Sequence, residues 1–196
     1  MQRKNNRSQC ITGRKKILLT SWSRQLRRTL SGLDARKRAD AIPGQLPRVA
    51  FVGIGNEFNA DDCAGPLIAR KLAARLAPRE DVLALDAGVA PENITGTLRK
   101  FQPDLVVVID AVDMEQPVGT IAWLPWDAVE GMDAFTHGLP PAVLGAFLRQ
   151  ELGCKVELIG IQPASLTFDQ PPAREVITSV SRVVGRIIKI LNYQNY

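Results

Sequence analysis

Apolar and polar positions divide this chain into short extended runs and longer helical stripes. The run VAFVGIG from Val49 mixes β-branched and small residues, and reads as a buried strand closing at Gly53 and Gly55. Gly65 to Leu76 then repeats at helical spacing, with Ile68, Leu72 and Leu76 inward and Pro78 as the stop. DVLALDAG (81–88), LVVVIDAV (105–112), TIAWLPW (120–126) and KVELIGI (155–161) read as four further strands. Between them fall a short helix in PENITGTLRKF and a helix over Pro140–Leu152 with Leu144, Phe147 and Leu148 inward. A last helix runs from about Ala173 to Asn192, with Val176, Val180, Val184, Ile187 and Leu191 along one side. LVVVIDAV is almost wholly apolar, as a central parallel strand covered on both faces must be. Pro125 marks TIAWLPW as an edge strand or one that ends early. Strands alternating with helices predict an α/β fold: a three-layer, mostly parallel, twisted five-stranded sheet with helices on both faces, Rossmann-like in outline.

The first 47 residues follow another rule. Residues 1–16 are polar and basic without periodicity, and read as disordered. From Trp22 an apolar stripe begins, with Leu26, Leu30 and Leu33 following at spacings of four, four and three. It predicts an amphipathic helix over about 21–33, closed near Gly32 and followed by a polar linker, DARKRAD, and Pro43-Gly44. A basic amphipathic helix can meet an acidic protein, a membrane surface or nucleic acid; the plainer expectation is that its stripe docks on the domain. The boundaries expected are therefore a basic extension over 1–47 and one globular domain over 48–196.

Charge sharpens that division. The formal net charge of +5 hints at nucleic acid, but residues 1–48 hold thirteen Lys/Arg against two Asp, and the rest twelve against eighteen acids. The domain is thus about −6 and the basicity belongs to the extension, so nucleic acid is not the expected partner of the domain. No run approaches the roughly 20 apolar residues of a membrane span. Secretory and twin-arginine signals are not expected either, because ILL is too short an apolar core. Cys10, Cys63 and Cys154 form no CxxC pair, which suits a reducing compartment and a cytoplasmic location. Cys63 is expected to be a small buried helix residue rather than a soft metal ligand.

Polar residues collect where the expected strands end. Asn56, Asp61 and Asp62 follow strand one, Asp86 and Gly88 close strand two, and Asp110 and Asp113 close strand three. In an open α/β sheet that carboxyl edge is where ligands bind. An Asp at the end of VVVI is costly to bury unless it is paired, protonated or bound to a cation; a turn in which it accepts backbone N–H groups is the bland alternative. One Asp of the Asp61-Asp62 pair also reads as a helix N-cap. His137, the only histidine, sits in the loop FTHGLPP before the fourth helix and can reach the same edge. Carboxylates with one imidazole suit nickel, zinc or cobalt, and affinity alone does not choose among them. No HExxH, Walker loop or GxSxG is present, and GIGNEF lacks the third glycine of a dinucleotide loop, Phe58 standing there.

GIGNEFNADDCAGP, DAGVAPEN, VVVIDAVDM, FTHGLP and LIGIQP together resemble the hydrogenase maturation endopeptidases, most of all the branch serving hydrogenase-3-type enzymes such as formate hydrogenlyase. The resemblance spans roughly residues 48–192 in the family's order and spacing. It implies a phosphorylase/hydrolase-like α/β fold and a peptide hydrolase that removes the C-terminal peptide from the precursor of a [NiFe]-hydrogenase large subunit once nickel is installed. It also implies that Asp62, Asp110 and His137 are the metal contacts and the catalytic set, with Asn56, Asp61 and Gly88 around them. Gly88 is expected to allow close backbone approach. Nickel is expected to arrive with the precursor, or another divalent cation to take its place. A monomer is expected. The family's members begin almost at the first strand, so nothing carries over to residues 1–47.

Two ways of cutting stay open on the residues alone: Lewis-acid polarisation of the scissile carbonyl, or a carboxylate activating water. Rival readings are a metallochaperone-like module that senses nickel without cutting, and a nucleotide-binding domain using GIGN.

Overall fold

A computed structural model describes residues 21–40, 46–76, 78–126 and 141–193. Five strands form one sheet: β1 (Val49–Ile54), β2 (Val82–Gly88), β3 (Leu105–Ala111), β4 (Ile121–Pro125) and β5 (Lys155–Ile161). Their spatial order is β2-β1-β3-β5-β4. All neighbours are parallel except β4, which lies antiparallel to β5 at the edge. Every residue of β1 and β3 is buried, so the two least polar runs take the centre. β4 ends at Pro125, the residue without an N–H to offer a further neighbour.

Alternate residues of the strands feed two cores. Val49, Phe51, Val107 and Ile109 face a layer made by α1 (Trp22–Asp40), α2 (Ala64–Arg75) and α5 (Arg174–Tyr193). Ala50, Val52, Val106 and Val108 face α3 (Thr95–Phe101) and α4 (Pro141–Leu152). Three layers around a mostly parallel five-stranded sheet is the architecture that the alternation of strands and helices predicts.

The first helix departs from expectation. It does not close near Gly32 but runs through the expected linker to Asp40. A single glycine costs a helix only about 1 kcal/mol, which neighbouring helix formers offset. Its stripe joins the core: Trp22 is 8 % exposed, and Leu26 and Leu30 are fully buried against β4 and α5. Burying each such side chain stabilises by about 1.5–3 kcal/mol.

What positions the site is the strand order. β2 lies on one side of β1 and β3 on the other, so the connections leaving β1 and β3 diverge and leave a crevice beyond their carboxyl ends. The first turn of α2 is seated directly on that crevice. A Cβ at Gly65 would overlap the carbonyl oxygens of Ile54 and Ile109, and one at Gly53 would overlap the Gly65 carbonyl. Two glycines thus let the helix backbone touch two strands at once.

Candidate active site

The turn between β1 and α2 is a 3-10 turn, Ala60–Cys63, with all four residues buried. It packs against β3, whose penultimate residue is Asp110. Asp62 is fully buried and Asp110 is 2 % exposed, so the crevice brings two inaccessible carboxylates to one edge of the sheet. Asp62 Oδ2 accepts the Asn56 N–H at 2.8 Å, and Asp110 Oδ1 accepts the N–H of Ala111 at 2.7 Å. The Asn56 side chain in turn accepts the Phe58 N–H at 3.0 Å, an Asx turn that shapes the loop presenting its own backbone to Asp62.

Asp61 points elsewhere. Its Oδ2 accepts the N–H groups of Ala164 (2.7 Å) and Ser165 (3.1 Å), and its Oδ1 accepts that of Ala173 (2.6 Å). Its own N–H donates to the Ser165 carbonyl at 3.1 Å. One buried carboxylate therefore holds the whole segment between β5 and α5 against the 3-10 turn. Acceptance of backbone N–H groups, the alternative set out for the acid ending VVVI, is seen at Asp110 and more fully at Asp61. The N-cap reading fits neither Asp61 nor Asp62, because Asn59 precedes the 3-10 turn, Cys63 precedes α2, and neither end has a side-chain cap.

Gly88 has φ +53°, with nothing within 4 Å of the Cβ it lacks among the described residues. A left-handed backbone calls for glycine here. That conformation lets the Gly88 carbonyl accept the Gly55 N–H at 3.0 Å, tying β2 to the loop of Asn56. Asp86 faces outward and pairs with Arg70 at 3.4 Å, while Arg70 also meets Glu57 at 2.8 Å. These half-exposed pairs contribute little, roughly 0–1 kcal/mol.

His137 lies outside the described residues, as does the rest of its loop up to Pro140. Among the described residues no group of three or more His, Cys, Asp or Glu is arranged to hold a metal. Carboxylates such as Asp62 and Asp110 are the kind of oxygen donor a hard or borderline cation takes, and two of them fall short of a full donor set.

Gln162 is the residue the sequence reading passed over. It is 6 % exposed, and its Oε1 accepts the N–H groups of Met114 (2.7 Å) and Gln116 (3.2 Å). Its Nε2 donates to Asp113 at 3.1 Å and to the Pro163 carbonyl at 3.2 Å. Gln162 thereby fixes the loop that leaves Asp110, and Asp113 is spent on it. A lone amide straight after the apolar run LIGI was the available signal.

Cys63 is buried, and burial first, then the Asp61 charge, pushes its thiol pKa up. A thiol held protonated is a poor nucleophile, so the only cysteine at this edge among the described residues is not equipped for covalent catalysis. No described helix is long and apolar enough to cross a membrane.

A family profile described as hydrogenase maturation protease matches residues 66–190, a stretch that takes in Asp110 and His137 and begins four residues after Asp62. The hydrogenase 3 maturation protease of Escherichia coli K12 is 35 % identical over 135 residues, covering 68 % of this chain and 85 % of that one. The crystal structure of a [NiFe] hydrogenase maturation protease HycI from Thermococcus kodakarensis superposes with a TM-score of 0.69 at 32 % identity, covering 74 % of this chain and 93 % of that one. The solution structure of the endopeptidase HycI from Escherichia coli gives 0.61 at 32 % identity, covering 70 % and 87 %. The chain belongs to the hydrogenase maturation proteases, a family of peptidases.

Proposed function

We propose that this protein is an endopeptidase that removes the C-terminal peptide from the nickel-loaded precursor of a [NiFe]-hydrogenase large subunit. The observation that carries the reading is the pair of buried carboxylates, Asp62 and Asp110, brought to one crevice by the seating of α2 on β1 and β3. Two acids taken out of water favour a cation strongly, and a precursor that brings a divalent ion supplies one.

In this reading nickel is part of the substrate. Asp62, Asp110 and His137 complete its coordination, and His137 approaches from the loop before α4. A precursor without metal cannot make that contact, so discrimination arises from an interaction only the loaded substrate offers. The Asn56 N–H orients Asp62. The three bonds to Asp61 and the Gln162 network keep the loops on either side from moving as the precursor docks. Hydrolysis then adds the elements of water across the scissile C–N bond.

Substitution tests the residue assignment. Asp62→Ala and His137→Ala should fold, as judged by circular dichroism, and should fail to trim a nickel-loaded precursor, as judged by mass spectrometry of its C-terminus. Normal trimming by either variant would remove that residue from the site. A variant-independent failure to cut, with the precursor still bound, would point instead to a nickel-sensing module.

A further inference from the structure

A cationic groove lies well away from the candidate active site. α1 commits Trp22, Leu26 and Leu30 to the core, which leaves Arg27 and Ser31 on the border of that stripe. α5 commits Val183, Ile187 and Leu191, leaving Arg186 and Lys189 on its own border with Tyr193 one turn on. Where the two helices meet, Arg27, Ser31, Arg186, Lys189, Ile190 and Tyr193 wall a groove of about 540 Å³. Among the described residues no acid lines it.

The three cations have no ion-pair or hydrogen-bond partner among the described residues. Their helical neighbours offer none. Arg27 has Ser23, Arg24, Leu30 and Ser31 three and four positions away, and Arg186 has Arg182, Val183, Lys189 and Ile190. The sole acid of α5, Glu175, lies in its first turn. The helix dipole does not account for the cations either, because the last turn of α5 contains no basic residue. Like charges gathered in one concave site repel each other until an anion arrives.

We infer that this groove docks an extended, acidic segment of a partner protein, with Arg27, Arg186 and Lys189 gripping carboxylates. Arginine offers a planar fork that matches a carboxylate, and the exposed Tyr193 ring gives an apolar side chain between the acids a surface to lie on. Charge excludes the chain's own N-terminal residues as the occupant, since residues 1–20 hold six Lys/Arg and no acid. A membrane surface is disfavoured because a helix that lies in the interface must spend its apolar face on lipid, and that of α1 is already spent on the core. A polynucleotide running beyond the groove would meet a domain of about −6.

The inference stands apart from the proteolytic reading. Ala173, at the start of α5, is held by Asp61, whereas the groove begins at Arg186, about 20 Å further along the helix. Occupancy of the groove leaves the crevice open.

Fluorescence anisotropy of the full chain with a fluorescein-labelled peptide of alternating Glu and Leu tests it. Saturable binding is expected, steeply weakened by salt. Arg27→Glu and Lys189→Glu should each weaken it by about tenfold or more, and Arg27→Lys by much less. The altered side chains are exposed, and unchanged melting curves show that the variants fold. Replacing Arg14, Lys15 and Lys16 together by Ser should leave the affinity nearly unchanged. Equal binding by the charge-reversed variants, or loss on neutralising that tail instead, overturns the inference. So does tighter binding of poly-uridine RNA or phosphatidylserine vesicles that the same charge reversals abolish.

Discussion

Asp61 and Asp62 are neighbours in sequence, both buried, and do different work. Asp61 gathers three backbone N–H groups from a segment over a hundred residues away, each bond strengthened by its charge. Asp61→Ala leaves those donors without an acceptor and should destabilise the protein by about 3 kcal/mol or more, read as a shift in the urea midpoint. Asp62→Ala strands the Asn56 N–H, and processing should be lost in a protein that still folds. The reverse pattern would exchange their roles. The resemblance told Asp62 from Asp61, but the anchoring role of Asp61 shows only once the distant Ala164, Ser165 and Ala173 are in place. The importance of Asp110 was easier to see, because an acid inside VVVIDAV has so few ways of being tolerated.

Cys154 lends itself to a pH measurement. Burial pushes its thiol up to about 11 from an ordinary value of 9.0. Below pH 9 the thiol is protonated whether the chain is folded or not, so its contribution is fully present. Between 9 and 11 the unfolded chain ionises while the folded one resists, and stability falls with rising pH, by at most about 2–3 kcal/mol from this group. Cys154→Ala should flatten that part of the stability curve measured by urea titration. An unchanged slope would mean that the thiol is more accessible than its burial suggests. Cys63, held protonated for the same reason, should be replaceable by Ala with processing retained.

At the scale of elements, the periods of the apolar residues carried most of the fold. All five strands and the helices after β1 lie within about two residues of where the pattern puts them, except that the opening of PENITGTLRKF is a 3-10 turn, Pro91–Ile94, and α3 begins at Thr95. α1 was legible in its stripe but not in its length. Gly32 and a charged tract look like a stop, yet the helix runs on to Asp40, and the packing of Trp22, Leu26 and Leu30 on β4 and α5 that anchors it is recorded in no local pattern. Since Leu30 is fully buried in the same core as Phe51 and Ile187, Leu30→Ala should destabilise the protein by about 2–5 kcal/mol, lowering a single cooperative melting transition. Melting of α1 as a separate early phase would show it to be a loosely attached appendage. The seating of α2 is stricter. Gly65→Ala sets a methyl group against two backbone carbonyls that cannot turn aside, and should displace the 3-10 turn with Asp62 on it.

The whole molecule is a frame for one crevice. Parallel strands order the carboxyl ends, the reversal between β2 and β3 opens the gap, and close glycine packing sets a buried turn above it. Asp61 and Gln162 then anchor the remaining loops from below and from the side. Five motifs in register made the family readable from sequence, while the partition of acids between anchoring and the crevice required the fold. The extension adds a second feature to this frame, a cationic groove where α1 meets α5.

The most direct measurement is side-by-side incubation of the purified protein with nickel-loaded and nickel-free large-subunit precursor, followed by mass spectrometry of the precursor's C-terminus. Loss of a C-terminal peptide from the loaded form alone is the expected result. Equal trimming of both forms, or of neither, would contradict a site built to grip a metal delivered by its substrate.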